Sequence, residues 1–201
     1  MARIVSDRAD RTDQIVVLPA SLENPANLPP GTYRVGVLLA CCSIFAFFAA
    51  LMVAYYWRSR TREFWDEIPL PTVLWWSTSL IAASSMTLET GRRMFRRGLW
   101  QSASKLLLAT AWIGVAFVAC QLTGWWELVQ RGVYLTENPH ASFFYIFTGL
   151  HAVHLVGGMI ALAVLVFARR KRREWVDSAT LYWHFLSLLW LALFATLTFI
   201  Y

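Results

Sequence analysis

The stretch "ASFFYIFTGLHAVHLVGGMIALAVLVFA" (residues 141–168) contains no Asp, Glu, Lys or Arg. Its apolar residues follow one another instead of alternating, and about 20 such residues are enough to cross the hydrocarbon core of a bilayer. Because lipid offers the backbone no hydrogen-bond partners, a segment that crosses it must be a helix or part of a closed barrel. We therefore predict that this stretch is a transmembrane helix.

The rest of the chain has the same character. Of its 201 residues, 58% are hydrophobic and 15% are charged, which is more apolar than an ordinary soluble domain. Four further apolar runs, bounded by charged residues or by Pro and Gly, cover about 35–57, 71–88, 103–122 and 178–201. The sequence therefore predicts an all-α integral membrane protein in which residues 35–201 form one bundle of five transmembrane helices.

The basic residues are divided unequally between the two ends of these predicted helices. Most of the 18 Lys and Arg residues lie before the first run or in the connections after the second and fourth runs. By the positive-inside rule, this places the N-terminus in the cytoplasm and the C-terminus outside. Because membrane insertion explains the net charge of +6, nucleic-acid binding is not indicated. Residues 1–34 are polar and lack the features of a signal peptide, so we predict a cytoplasmic tail.

Three histidines stand inside the predicted helices. His151 and His154 lie three residues apart near Thr148 in the fourth helix, and His184 lies in the fifth. Imidazoles from two helices could bind zinc, copper or iron, but the sequence places no cysteine or Glu-x-x-His pair beside them. We therefore predict no metal site and interpret them as neutral interhelical anchors, with a proton-conducting cavity as an alternative. The full set of predicted anchors is His151, His154, His184, Thr148, Ser84 and Ser85.

The second predicted helix carries a polar face. Thr78, Ser85 and Glu89 are spaced 7 and 4 residues apart, which suits contact with another helix, a lipid or a water-filled cavity. Glu89 is one turn from two arginines, so the pattern predicts either an ion pair at the cytoplasmic interface or a site for an anionic lipid headgroup. The residues assigned to this headgroup or interface site are Glu89, Arg92, Arg93, Arg96 and Trp183.

Small residues recur at a spacing of four in two of the predicted helices. The first helix has Ala46, Ala50 and Ala54, and the fourth has Gly157 and Ala161. Such spacing lets helix backbones approach closely in lipid, although simple apolar filling explains it equally well. The sequence has no phosphate-binding loop, nucleophile elbow, haem-attachment motif or pair of carboxylates in mid-membrane. We therefore assign no catalytic or cofactor-binding residue, and an accessory subunit is favoured.

Four segments resemble one known family, in its order and spacing. They are "NPHASFFYIFTGLHAVHLVGGMIAL" (138–162), "YWHFLSLLWLALF" (182–194), "LWWSTSLIAASSMTLETGRRMFRRG" (74–98) and "CQLTGWWEL" (120–128). They are similar to subunit III of the haem-copper oxygen reductases, the cytochrome c oxidase subunit III family, in its short five-helix bacterial form. The resemblance covers about residues 33–201.

The resemblance implies a non-catalytic subunit of the bacterial cytoplasmic membrane that serves aerobic respiration. Such a subunit packs beside haem-copper subunit I in a complex with subunit II and further respiratory subunits. It holds phospholipids and sustains proton uptake and turnover stability, while haem and copper stay in the partner subunits. His151, His154, Trp183 and His184 occupy the family's characteristic positions, and Asp177 stands where many members carry Glu.

Two positions depart from the family pattern. Ile44 follows Ser43 where many members have a membrane-embedded Glu, and Ser187 stands where the last helix often has Asp. A scaffold and lipid-binding role does not depend on these carboxylates, whereas proton handling through them does. The remaining alternatives are the same subunit in a quinol oxidase, the related accessory protein of nitric oxide reductase, a stand-alone transporter of protons or small solutes, and a metal- or haem-binding membrane enzyme.

Overall fold

The computed structural model describes residues 31–61, 68–136, 138–168 and 172–200. These residues form five α-helices: α1 (Thr32–Thr61), α2 (Val73–Arg96), α3 (Trp100–Gln130), α4 (Pro139–Phe167) and α5 (Arg173–Phe199). The predicted all-helical fold is thus confirmed. Most of the predicted polar tail lies outside the described residues, but its last three residues already belong to α1.

Several helices extend beyond the apolar runs that predicted them. α2 continues to Arg96 and α3 to Gln130, past the ends predicted at residues 88 and 122. The apolar run marks only the part of a helix that suits the hydrocarbon, whereas i→i−4 hydrogen bonds between backbone groups continue through residues of any polarity. α4 shows the smallest difference because Asn138 caps its start, accepting a hydrogen bond from Ala141 N at 2.8 Å.

Four of the helices, α1, α3, α4 and α5, are long and apolar enough to cross a membrane. The chain is therefore a multi-pass membrane protein. α2 has 24 residues, which at about 1.5 Å per residue also reaches across a bilayer core. Its serines and threonines make it less apolar than the other four helices. Its length, and not its hydropathy, is therefore what supports α2 as a membrane-crossing helix.

α2 and α3 form a closely packed antiparallel hairpin. Gly98 connects them with a φ of +80°, a left-handed conformation that glycine adopts without a steric penalty. Two more glycines lie where the helices touch: a Cβ on Gly91 would lie 3.2 Å from Leu106 Cβ, and one on Gly124 would lie 3.3 Å from Val73 Cγ1. Glycine at these positions lets the two backbones approach closely.

α1 is attached differently from the other helices. Phe48 and Tyr55 are fully buried, with the Phe48 ring 5.8 Å from that of His154 and the Tyr55 ring 5.8 Å from that of Phe147. Long aromatic side chains, and not close backbone packing, thus hold α1 against α4. Three small residues of α1, Ala46, Ala50 and Ala54, are exposed.

Candidate functional site

The hydroxyl groups of α2 form hydrogen bonds to α5. The indole Nε1 of Trp183 donates to Ser84 Oγ at 3.0 Å, and Ser85 Oγ donates to Ser187 Oγ at 2.8 Å. Both bonds connect positions about 100 residues apart in the chain. Two predicted anchor residues, Ser84 and Ser85, therefore join α2 to α5.

The same helix is hydrogen-bonded to α3. Gln121 Nε2 donates to Ser77 Oγ at 2.9 Å, and the hydroxyls of Thr87 and Thr110 are 2.9 Å apart. The side chains of Ser77, Gln121 and Thr110 are buried, so these bonds lie inside the bundle. The polar face of α2 thus forms hydrogen bonds with both α3 and α5.

Serine and threonine can serve this role because each hydroxyl has one donor and two acceptor sites. Ser84 Oγ donates to Ile81 O of its own helix at 2.7 Å, which leaves its lone pairs free to accept the N–H of Trp183. Ser77 Oγ donates to Leu74 O at 2.8 Å and accepts from Gln121 in the same way. Each of these two hydroxyls donates to a carbonyl of its own helix and accepts a hydrogen bond from the neighbouring helix. Neither is left with an unpaired hydrogen-bonding group, which would be costly in lipid.

Trp183 differs from its prediction as an interface or headgroup residue, because it is fully buried. A Cβ at Gly158 of α4 would lie 3.3 Å from its Cε3, and a Cβ at Gly114 of α3 would lie 3.0 Å from its Cη2. Two glycines therefore form a slot that accepts the indole ring, and Ser84 binds its N–H. A tryptophan near the end of an apolar run resembles an interfacial residue in sequence, but here the neighbouring helices have room to bury it.

The two histidines of α4 have different surroundings. His151 is fully buried, with its ring centroid 5.2 Å from that of Trp190 and 5.9 Å from that of Phe117. Within the described residues, neither of its ring nitrogens has a hydrogen-bond partner. His154 Nδ1 lies 2.7 Å from Leu150 O of the same helix. Among the described residues, no three His, Cys, Asp or Glu side chains are grouped closely enough to hold a metal ion.

A third contact holds α4 to α3. Thr148, another predicted anchor, donates to Phe144 O of its own helix at 2.7 Å and accepts from Trp125 Nε1 at 2.9 Å. The arrangement repeats that of Ser84 and Trp183 on a different pair of helices. Tyr182 adds a bond from α5 to α4, its hydroxyl donating to His154 O at 3.2 Å.

A charged cluster lies near the C-terminal end of α2. Arg92 Nε donates to Glu89 Oε2 at 2.8 Å, and Arg93 Nε donates to Glu89 Oε1 at 3.0 Å. The Glu89 side chain is 24% exposed and that of Arg93 is 70% exposed. The carboxylate is therefore held within the cluster, while Arg93 faces the surroundings of the protein.

The cluster also joins α2 to the start of α5. Arg96 Nη2 donates to Asp177 Oδ1 at 2.9 Å, and Arg92 Nη1 reaches the same oxygen at 3.4 Å. His184 Nε2 lies 3.8 Å from Glu89 Oε2. The cluster therefore contains three arginines and two carboxylates, and the arginines leave an excess of positive charge at this end of the bundle.

Sequence reasoning missed several members of this network: Gln121, Thr110, Trp125, Tyr182 and Trp190. Trp190 Nε1 donates to Thr78 Oγ1 at 3.0 Å. A signal was present for this contact, because Trp183 and Trp190 are seven residues apart and therefore share one face of α5 with Ser187. The hydroxyl face of α2 has the same periodicity, so the two faces could have been matched.

The family model described as cytochrome c oxidase subunit III matches residues 30–201. The chain belongs to the cytochrome c oxidase subunit III family. The resemblance found in the sequence is therefore confirmed, and the matched residues include all five helices. The contacts of Trp183, Ser84 and Thr148 are thus the internal packing of a subunit III fold.

Individual relatives carry the same description. A probable cytochrome c oxidase subunit 3 of Nocardia farcinica is 30% identical over 181 residues, which cover 85% of this chain and 89% of the relative. Cytochrome c oxidase subunit 3 of Corynebacterium diphtheriae is 28% identical over 187 residues, with the same coverage of both chains. That of Synechocystis is 28% identical over 179 residues, covering 82% of this chain and 74% of the relative. The similarity thus spans most of a subunit III chain.

Proposed function

We propose that this chain is the non-catalytic accessory subunit III of a bacterial cytochrome c oxidase. Membership in the subunit III family over residues 30–201 carries the proposal. The hydrogen-bond network adds support, because the polar side chains of α2 bond to neighbouring helices instead of lining a reaction site. In this proposal, haem and copper belong to partner subunits, and this chain contributes to aerobic respiration by stabilising the complex.

All five helices cross the cytoplasmic membrane in this proposal, with the N-terminus inside. The hydrogen bonds of α2 support its crossing, since Ser77, Ser84 and Ser85 exchange bonds with α3 and α5. A hydroxyl that is bonded within the protein costs far less in lipid than an unbonded one. The charged cluster then lies at the cytoplasmic interface, where basic residues are expected.

The exposed face of α1 is the proposed contact with haem-copper subunit I. Ala46, Ala50 and Ala54 are exposed along that face, and small residues permit close approach of a second helix in a membrane. Phe48 and Tyr55 attach α1 to α4. α1 would thus connect the bundle to the catalytic subunit.

The charged cluster is the proposed site for an anionic phospholipid headgroup. Arg93 and Arg96 are 70% and 51% exposed, and the cluster has more arginines than carboxylates. An exposed guanidinium at the interface binds phosphate oxygens well. The resemblance to the family also supports a role for this chain in sustaining proton uptake by the neighbouring catalytic subunit.

Purification of the tagged full-length chain from its native membrane in a mild detergent tests the proposal. We expect haem-copper subunits I and II to accompany it, with the haem absorption bands leaving when this chain is separated. Depleting it should leave the initial rate of oxygen reduction largely intact and shorten the active lifetime during turnover. A chain that purifies without a haem protein and transports solutes in liposomes would overturn the proposal.

Ala50→Trp tests the contact face on α1. The bulky side chain should prevent close helix approach, so less subunit I should accompany this variant. Phe45→Trp on the same helix is the control, since Phe45 is also exposed but lies away from the alanine stripe. Equal recovery of subunit I with both variants would exclude this face as the contact.

A further inference from the structure

The outward face of α2 differs from the face that bonds to α3 and α5. Only six of the 24 residues of α2 are buried, so a large part of its surface lies outside the bundle. Exposed residues recur along this outward face every three or four positions, which is the period of a helix. They are Ser79, Ala82, Ala83, Met86, Thr90, Arg93 and the C-cap residue Arg97.

This face lacks the large apolar side chains that α1, α3 and α4 present to their surroundings. Each of those three helices exposes at least five of them. Among the described residues of α2 after Trp76, Met86 is the one large apolar side chain that is exposed. Lipid tails favour large apolar side chains, whereas small and hydroxylated residues are enriched where membrane helices touch. The composition of the outward face therefore favours contact with another helix.

The two hydroxyl residues of this face have the bonding pattern of the α2 serines that hold neighbouring helices. Ser79 Oγ and Thr90 Oγ1 each donate to a carbonyl of the preceding turn, at 3.1 and 2.8 Å. Ser84 Oγ makes the same kind of local bond, and its lone pairs accept the N–H of Trp183. Each exposed hydroxyl thus keeps acceptor sites for a donor on a helix that packs against it.

The C-terminal end of this face is positively charged. The Arg93 side chain is 70% exposed, and Arg97 is exposed one turn later. Glu89, the one acidic residue in α2, is bonded to Arg92 and Arg93, so α2 supplies no further carboxylate there. A partner helix with a carboxylate at this level would be attracted to the face, whereas one with Lys or Arg would be repelled.

The same charges argue against a second copy of this chain as the partner. Copies in one membrane share one orientation, and a two-fold dimer brings identical surfaces together. Arg93 and Arg97 would then meet the same two arginines of the other copy. The charges therefore favour a different polypeptide.

We propose that the outward face of α2 packs against a transmembrane helix of a different polypeptide, which carries an Asp or Glu opposite Arg97. Ala82 and Ala83 allow the two backbones to approach closely near the middle of α2, and the hydroxyls of Ser79 and Thr90 accept hydrogen bonds from the partner. This surface is separate from the alanine face of α1. It rests on the proposed membrane crossing of α2 and not on the oxidase assignment.

Photo-cross-linking in native membranes tests this contact. The photoreactive amino acid p-benzoylphenylalanine replaces Met86, which is 73% exposed, and in the control it replaces Trp112 of α3, which is 70% exposed. After illumination, we expect the probe at position 86 to join this chain to a second polypeptide and the probe at position 112 to give lipid adducts. Mass spectrometry of the cross-linked peptide should identify a transmembrane segment with an Asp or Glu near the end that lies beside Arg97.

Three outcomes of this experiment would overturn the proposal. Lipid adducts alone at position 86 would exclude the contact, while still showing that α2 lies in the membrane. A cross-link between two copies of this chain would exclude a different polypeptide as the partner. A cross-linked segment without an acidic residue at the stated end would exclude the charge pairing.

Charge reversal gives a second test that leaves the small residues in place. Arg97→Glu should lower the yield of the cross-link from position 86 about fivefold, as expected for the loss of one surface ion pair. Changing the partner's acidic residue to Arg should restore the yield. Arg34→Glu in α1 is the control, because Arg34 is also exposed and is predicted on the same side of the membrane. An equal loss with both variants, or no loss with Arg97→Glu, would overturn the pairing of Arg97 with a carboxylate.

Discussion

Replacing Trp183 by Phe is expected to lower the free energy of unfolding by about 1.6 kcal/mol. One part is the hydrogen bond from Nε1 to Ser84 Oγ at 3.0 Å, since such bonds contribute about 0.6 kcal/mol on average inside membrane proteins. The other part is the space left in the slot between Gly114 and Gly158. A ring smaller by about 40 Å³ leaves a cavity that costs about 1 kcal/mol at about 24 cal/mol per Å³. Ser84 still donates to Ile81 O, so the substitution leaves no orphaned donor.

Equilibrium unfolding of the purified full-length chain in bicelles measures this effect, and a double-mutant cycle with Ser84→Ala separates the hydrogen bond from the packing. We expect a coupling energy of about 0.6 kcal/mol between the two positions. Trp126→Phe is the control, because Trp126 is 63% exposed and should change stability by less than about 0.5 kcal/mol. A Trp183→Phe variant as stable as this control would refute the reasoning, and zero coupling would refute the contribution of the hydrogen bond alone.

Three further outcomes follow from the contacts. Asp177→Asn breaks two partly exposed arginine bridges, so it should cost less than about 1 kcal/mol, and high salt should abolish the difference in an unfolding titration. Gly91→Leu should cost at least about 1–3 kcal/mol because its Cβ enters α3, whereas the same measurement on Gly157→Leu, in open space, should show almost no change. His151→Phe should be neutral or stabilising, since it removes two unpartnered nitrogens from an aromatic environment; a loss above about 1 kcal/mol would indicate a missing partner.

The number and order of the helices could be predicted from hydropathy because lipid leaves the backbone few alternatives. Residues 141–168 predict α4 to within two residues of its observed bounds, Pro139–Phe167. The ends of α2 and α3 could not be predicted in this way, since α2 ends in a charged stretch and Thr123, Gly124 and Glu127 interrupt the apolar run of α3, while helix hydrogen bonds continue through both. Hydropathy shows which part of a segment suits the hydrocarbon of the bilayer, whereas the helix itself continues past the ends of that part.

The hydrogen-bonding role of the α2 serines could be inferred, but their partners could not. Periodicity places Ser84 and Ser85 on neighbouring faces of one helix without showing which helix lies opposite. The partner Trp183 was assigned to the interface because burial of an indole depends on Gly114 and Gly158, which lie on two other helices. His151 shows the same limit: its position suggested polar contacts, whereas its neighbours Phe117 and Trp190 surround it with aromatic rings.

The two departures from the family pattern become interpretable in the structure. Ser187, where many members carry Asp, receives a hydrogen bond from Ser85 at 2.8 Å, and Ile44 is an apolar, partly buried residue of α1. Both positions are thus neutral, and each fits its surroundings without a charge. At one end of the bundle, the carboxylates of Glu89 in α2 and Asp177 in α5 are paired with arginines. A buried carboxylate relay for protons would require acidic side chains that α1 and α5 do not supply at these positions.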